Sequence, residues 1–172
     1  MTSKTITIDA VLTRWPLIAL IASALMLAIA HGFETFGHLA PCSLCLRQRE
    51  VYWAIMAVSA AALVLGRFSE ARSIKPWCDG LLGAMFLFGA SLAFFHAGVE
   101  WKWWPGPTTC TGGGAASTSD LMAALNGAKV KPPACDQAAW VFVGISMAGW
   151  NSLISLGLAA LSGLAAWRTS RR

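Results

Sequence analysis

Four of the five cysteines in this 172-residue chain have a setting suited to redox chemistry. Cys42 and Cys45 form a tight C-x-x-C, in Pro41-Cys42-Ser43-Leu44-Cys45. Cys110 and Cys135 are separated by 24 intervening residues, across a Gly-rich stretch. A C-x-x-C disulfide closes a very short loop and constrains little of the unfolded chain. It is a poor staple and a better redox centre, although two static disulfides remain the alternative. Four thiols could also hold zinc. Zinc ribbons usually present two tight pairs, however, and the second pair here is loose, so no metal is expected.

Helix geometry indicates why the tight pair should react. Pro41 marks a chain turn and a helix start. Cys42 and Cys45 are three apart and share a face, in the first turn, where the helix dipole is positive. A thiolate there is stabilised and its pKa falls. Arg49 lies four residues beyond Cys45, one turn deeper on the same face, and is expected as the cation over the reactive thiol. Arg47 points elsewhere and is expected to snorkel to headgroups. An arginine this close to hydrocarbon is costly unless used; two snorkelling arginines are the bland alternative. The dithiol also needs an electron acceptor. Leu46 follows Cys45, so there is no haem C-x-x-C-H, and no dinucleotide or flavin motif occurs. By elimination the acceptor is one dissolved in a membrane, such as a quinone.

The elements that must position these residues are membrane helices. Hydrophobic residues make up 56% of the chain and charged ones 12%, against about 25% charged in a soluble domain. Mean hydropathy is +0.59. The net charge of +5 does not indicate nucleic acid, because the basic residues lie between apolar runs and form no stripe. Four apolar segments, 15–36, 46–66, 80–99 and 140–167, approach the ~20 residues that a spanning helix needs. The second is the weakest, and spans only if its polar first turn lies among headgroups. Backbone groups in lipid must bond internally, so helices are expected. The fold class is an all-α membrane protein, one domain, a four-helix bundle with a long loop at 100–139 between helices 3 and 4.

Eight Lys and Arg residues (4, 14, 67, 72, 75, 168, 171, 172) fall on one side and five (47, 49, 102, 129, 131) on the other. By the positive-inside rule both termini and the 67–75 loop are cytoplasmic. All four redox cysteines then face the opposite side, which in a bacterium permits disulfides. The first segment also reads as a signal peptide, with Ala28-Ile29-Ala30 as its cleavage site, but its apolar stretch continues past Ala30. In the loop, the tryptophans at 101, 103 and 104 read as an interfacial belt, with a ligand cage as the alternative. Residues 119–128 read as a short amphipathic helix capped by Ser119. Cys78, at the cytoplasmic start of segment three, reads as a small inert residue at a helix end.

With these residues in place, the chain resembles the DsbB family of quinone-dependent, disulfide-forming membrane proteins. The likeness rests on the four spans, on Cys42-Ser43-Leu44-Cys45-Leu46-Arg47-Gln48-Arg49, which fits C-x-L-C-x-x-x-R, and on the cysteine pair in the second outward loop. It implies a periplasmic thioredoxin-fold partner of the DsbA kind and quinone, ubiquinone or menaquinone, as electron sink. Cys110 would take the partner's thiolate as a mixed disulfide, with Cys135 as its loop mate. Cys42 would exchange with that pair, and Cys45 would be the thiolate facing the quinone, with Arg49 beside the quinone oxygen. Met147 and Trp150 resemble an M-x-x-W motif on span four that lines the quinone pocket, and His96 would approach the ring. For Met147 and His96 a core role is the equal alternative. His31, Glu34 and His38 read as interfacial without an assigned role. Cys78 has no part in the family scheme. DsbA-like partners have potentials near about −120 mV, and a gap of ~100 mV to quinone gives roughly 5 kcal/mol downhill. A vitamin-K-epoxide-reductase-like oxidase would carry its C-x-x-C late in the chain, and a DsbD-like transporter would bury cysteines within its spans. A structural subunit with two disulfides is the non-enzymatic rival.

Overall fold

The computed structural model describes residues 10–67, 71–107, 122 and 134–171, with backbone alone at 71–73. Its long elements are helices: α1, Trp15–Thr35; α2, Ser43–Leu65; α3, Ala71–Glu100; and α4, Met147–Ser170. Pro16 sits in the first turn of α1, where its missing N–H costs no helical bond. Pro76 lies inside α3 and removes one bond of the ladder. Three stretches are long and apolar enough to cross a membrane: α1, Ile74–Glu100 of α3, and α4. With 23 residues, α2 reaches about 35 Å, but it opens on Leu46-Arg47-Gln48-Arg49-Glu50, which dilutes its apolar character.

The helices pack with small residues where backbones approach. Trp15 is fully buried, and its indole N–H donates to Ser162 Oγ at 2.9 Å, tying the start of α1 to the end of α4. A Cβ on Gly83 would sit 3.1 Å from Ser162 Cβ, so α3 and α4 approach closely there. Ala19, Ile55, Leu82, Phe86 and Ala165 complete this core. The opposite faces present Leu25, Ile29, Val64, Phe88 and Leu153 outward. Apolar surface of that extent is covered by lipid or a partner, not by water.

The mostly helical structure is consistent with the expected all-α membrane fold, and a short hairpin is added to it: β1, Val141–Phe142, pairs antiparallel with β2, Ile145–Ser146. The fourth helix therefore starts at Met147, not at 140. Its expected first turns form a hairpin whose Val143 and Gly144 have φ of 52° and 74°, the sign that a two-residue hairpin turn requires at both positions. A short apolar run does not distinguish strand from helix by periodicity. The helix α3 contains the apolar segment expected at 80–99 and begins earlier, at Ala71, so Cys78 lies inside it. Residues 119–128, apart from Met122, lie outside the described residues, as does Cys110.

Candidate active site

The C-x-x-C pair sits at the start of α2, where that helix meets the end of α3. Cys42 is the N-cap, with φ −77° and ψ 173°. Its Sγ accepts the Cys45 N–H at 3.3 Å, as a capping oxygen would. The two sulfurs lie 2.9 Å apart, within hydrogen-bonding reach, and His96 Nε2 lies 3.6 Å from Cys42 Sγ. Cys42 is buried and Cys45 half-buried. The hydrogen bond from the Cys45 thiol, aided by His96 and the Cys45 amide, outweighs the cost of burial and holds the Cys42 thiol down to about 4. Cys45 keeps its proton, pushed up by donating to that sulfur. Cys42 is thus the stabilised thiolate of the reduced pair.

The imidazole is oriented from behind. Gln48 Nε2 lies 2.9 Å from His96 Nδ1 and also donates to the Leu44 carbonyl at 3.2 Å. Gln48 Oε1 accepts from Asn151 Nδ2 at 2.5 Å, which fixes the amide's orientation. Nδ1 must therefore accept, and the ring's hydrogen sits on Nε2, facing Cys42. Asn151 Oδ1 accepts from the Tyr52 hydroxyl at 2.5 Å, and Tyr52 pairs with Ser155 at 2.8 Å. A buried polar chain so joins α2, α3 and α4. Glu100, one turn beyond His96, places Oε1 3.7 Å from Nε2, with its side chain 5% exposed.

Cys135 is buried against this centre. It is disulfide-bonded, whereas Cys42, Cys45 and Cys78 are free. Its Sγ lies 3.4 Å from Ser43 Oγ, and it packs with Cys42, Leu44 and Val99. Trp104 folds over the same cluster and donates from Nε1 to the Phe95 carbonyl at 2.9 Å. A Cβ on Gly98 would lie 2.0 Å from that indole, so the close approach demands glycine. Lys102 donates to Asp136 Oδ2 at 2.5 Å, which holds the Asp136 carboxyl below its usual range. The segments around 101–104 and 134–136 are thereby pinned together over the thiols.

A family profile described as "Disulfide bond formation protein DsbB" matches residues 13–165. The chain belongs to the DsbB family. It is 30% identical over 165 residues to "Disulfide bond formation protein B" of Methylococcus capsulatus, covering 90% of this chain and 94% of that protein. No solved structure matches it significantly. The DsbB family makes disulfides in membranes, so this chain is a multi-pass membrane oxidoreductase with a thiol-oxidising role.

Other residues singled out from the sequence take definite places around the DsbB dithiol. Arg49 does not direct its hydrogen bonds at Cys45. Its Nη1 donates to Glu34 Oε2 at 2.5 Å and its Nη2 to the Ala30 carbonyl at 3.1 Å, both on α1. Glu34 is a better partner than a protonated thiol, and sequence spacing within α2 carries no information about α1. Arg47 is exposed and pairs with Glu50 at 3.0 Å. Met147 is the first residue of α4, its N–H bonded to the Trp140 carbonyl. Trp150 donates from Nε1 to the Phe142 carbonyl at 3.1 Å. With Phe33, Trp140 and Phe142 it forms a row of ring contacts between 5.2 and 6.4 Å, beside the end of α1 that holds Arg49. Gln48, Glu100, Asn151 and the pairing role of Glu34 were not recognised from the sequence. The His96-to-Glu100 spacing of four residues was the one available signal.

Proposed function

We propose that this DsbB-family protein is an inner-membrane thiol oxidase that reoxidises a periplasmic, DsbA-like dithiol partner and delivers the electrons to membrane quinone. The observation that carries this reading is a bonded Cys135 packed against a free Cys42–Cys45 dithiol. In this account Cys110 is the mate of Cys135. A partner thiolate attacks Cys110 Sγ, the loop disulfide breaks, and Cys135 leaves as a thiolate. The partner's second thiol then closes the partner's disulfide and releases Cys110. The reduced loop pair attacks an oxidised Cys42–Cys45 bond at Cys42, Cys45 departs, and the loop disulfide reforms. Two electrons then rest on Cys42 and Cys45, which matches the bonding state of the described cysteines.

In that state His96 Nε2–H and the Cys45 amide hold the charge on Cys42. Closing the Cys42–Cys45 bond requires the Cys45 proton to leave, and Glu100 is the nearby buried carboxylate able to accept it. The donor set fits a quinone: the aromatic row offers flat apolar faces, and the half-buried guanidinium of Arg49 offers donors beside it. When bound, a quinone supplies the acceptor for two electrons and two protons. Arg49, Trp150 and Met147 would bind and orient it, and Trp104 would keep water from the sulfurs. The charge bias places both termini in the cytoplasm and the thiols outside. A reporter active only outside the cytoplasm should work when fused after Pro107 and be silent after Arg67 or Arg171. The decisive functional test mixes purified protein, reduced partner and quinone without oxygen. Quinone reduction equimolar with partner disulfide is expected; partner oxidation with no quinone reduced would contradict the reading.

A further inference from the structure

The two thiols and the imidazole that serve disulfide exchange also form a donor set for a metal ion. Cys42 Sγ, Cys45 Sγ and His96 Nε2 all lie within 4.8 Å of one another. Zinc binds sulfur at about 2.3 Å and imidazole nitrogen at about 2.0–2.1 Å in a tetrahedron. Those lengths imply a sulfur-to-nitrogen edge of about 3.6 Å and a sulfur-to-sulfur edge of about 3.8 Å. The Cys42-to-His96 separation is 3.6 Å. The sulfurs, 2.9 Å apart, need only spread by a small χ1 rotation of the half-buried Cys45. The tautomer set by Gln48 places the ring hydrogen on Nε2; a cation bound there moves it to Nδ1, and the Gln48 amide must turn to present its oxygen. A fourth ligand is at hand. Glu100 is 3.7 Å from the same nitrogen, and its Oε2 is buried without a hydrogen-bond partner among the described residues. A buried carboxylate oxygen left unpaired is costly, and a cation would satisfy it.

We propose that the reduced centre binds one thiophilic divalent cation, such as Zn2+, through Cys42, Cys45 and His96, with the Glu100 carboxylate drawn in as the fourth ligand. Binding replaces the remaining thiol hydrogen by a metal bond and releases that proton to solvent, while the imidazole stays neutral. No electrons move. Forming the Cys42–Cys45 disulfide removes both sulfur ligands, so the site exists only in the reduced protein. A bound cation locks the pair reduced, and oxidation ejects it. The proposal requires two free thiols but neither the quinone nor the partner, so its failure leaves the proposed oxidase reaction untouched.

The test adds Co2+, then Zn2+, to the purified full-length protein in detergent, without oxygen, partner or quinone. The reduced protein should bind one Co2+ with tetrahedral visible bands and a thiolate-to-cobalt charge-transfer band, and Zn2+ should displace it. The same protein with Cys42–Cys45 oxidised should show neither band. That arm needs no variant to fold. Loss of an outer-shell partner alone costs about 10–100-fold in metal affinity, so His96→Ala and Glu100→Gln should each weaken Zn2+ binding by at least about ten-fold. Cys78→Ala should match the unaltered protein. A six-coordinate spectrum without charge transfer, or equal binding by the oxidised form, would overturn the site. Unchanged affinity in His96→Ala or in Glu100→Gln would overturn the ligand set.

Discussion

Two ends of the bundle each place a cysteine beside charged groups, with different consequences. At one end Cys42 caps α2, receives a backbone N–H, and lies beside the Cys45 sulfur and the Nε2 edge of an imidazole. At the other end Cys78 lies inside α3, next to Asp79, whose Oδ2 takes the Lys75 ammonium at 2.6 Å. The lysine is committed to that carboxylate, and the α3 amides are committed to the helix. Proximity to charge therefore does not make a thiol reactive. Donors left over by local geometry and aimed at the sulfur do, and a helix N-cap supplies them.

The largest expected effect breaks the comparison outright. Alanine at Cys42, Cys45, Cys110 or Cys135 should abolish partner turnover, whereas Cys78→Ala should retain most of it. A folded, inserted Cys78→Ala protein without activity would remove the distinction between the two ends.

A smaller effect concerns pH. With its thiol held near 4, Cys42 is ionised across the neutral range. Its alkylation rate in the reduced protein should be flat above about pH 5 and fall as pH drops through about 4. The sign carries over to stability. A depressed folded pKa stabilises the reduced protein fully above the unfolded thiol's value of about 8.5, and this contribution is lost as pH falls toward about 4. His96→Gln removes a hydrogen bond to a charged group, worth about 1.5–3 kcal/mol. The alkylation midpoint should therefore move upward by about one to two units. An unmoved midpoint would mean that His96 only fills space.

Next comes the α1–α2 tie. Arg49→Gln should raise the apparent quinone KM by roughly ten- to a hundred-fold, if one charge-assisted bond is lost, and leave exchange between Cys110 and the partner intact. Lysine should rescue only partly, lacking the planar fork. Glu34→Gln should give a weaker change in the same direction, because it loosens the guanidinium without removing it. Smallest of all is Arg47→Gln: its pair with Glu50 is exposed, and such pairs are worth about 0–1 kcal/mol. Steady-state quinone kinetics on these variants rank them, and equal small effects at Arg47 and Arg49 would return both to lipid anchoring.

Much of this was legible in the sequence for identifiable reasons. Apolar runs disclosed the three spanning helices, because lipid leaves the backbone no other choice. The C-x-x-C and its place at a helix start followed from Pro41 and from spacing. What spacing could not disclose was partnership between helices. Arg49 was expected over Cys45 because both lie on α2, yet Glu34 on α1 takes it. His96 was expected either near a quinone ring or in the core; its Nε2 faces Cys42, and Gln48, itself held by Asn151, takes its other nitrogen. The hairpin at 141–146 was missed because two apolar residues on each side of Val143-Gly144 read equally well as the start of a helix. Gly144 was the available hint.

The central claim is that electrons pass the loop disulfide and come to rest on Cys42 and Cys45. Rapid acid quench after addition of one equivalent of reduced partner, without quinone, followed by alkylation and mass spectrometry, measures this directly. The account predicts label on Cys42 and Cys45, with Cys110 and Cys135 still joined. Label on Cys110 and Cys135 with an intact Cys42–Cys45 bond, persisting at long times, would contradict it.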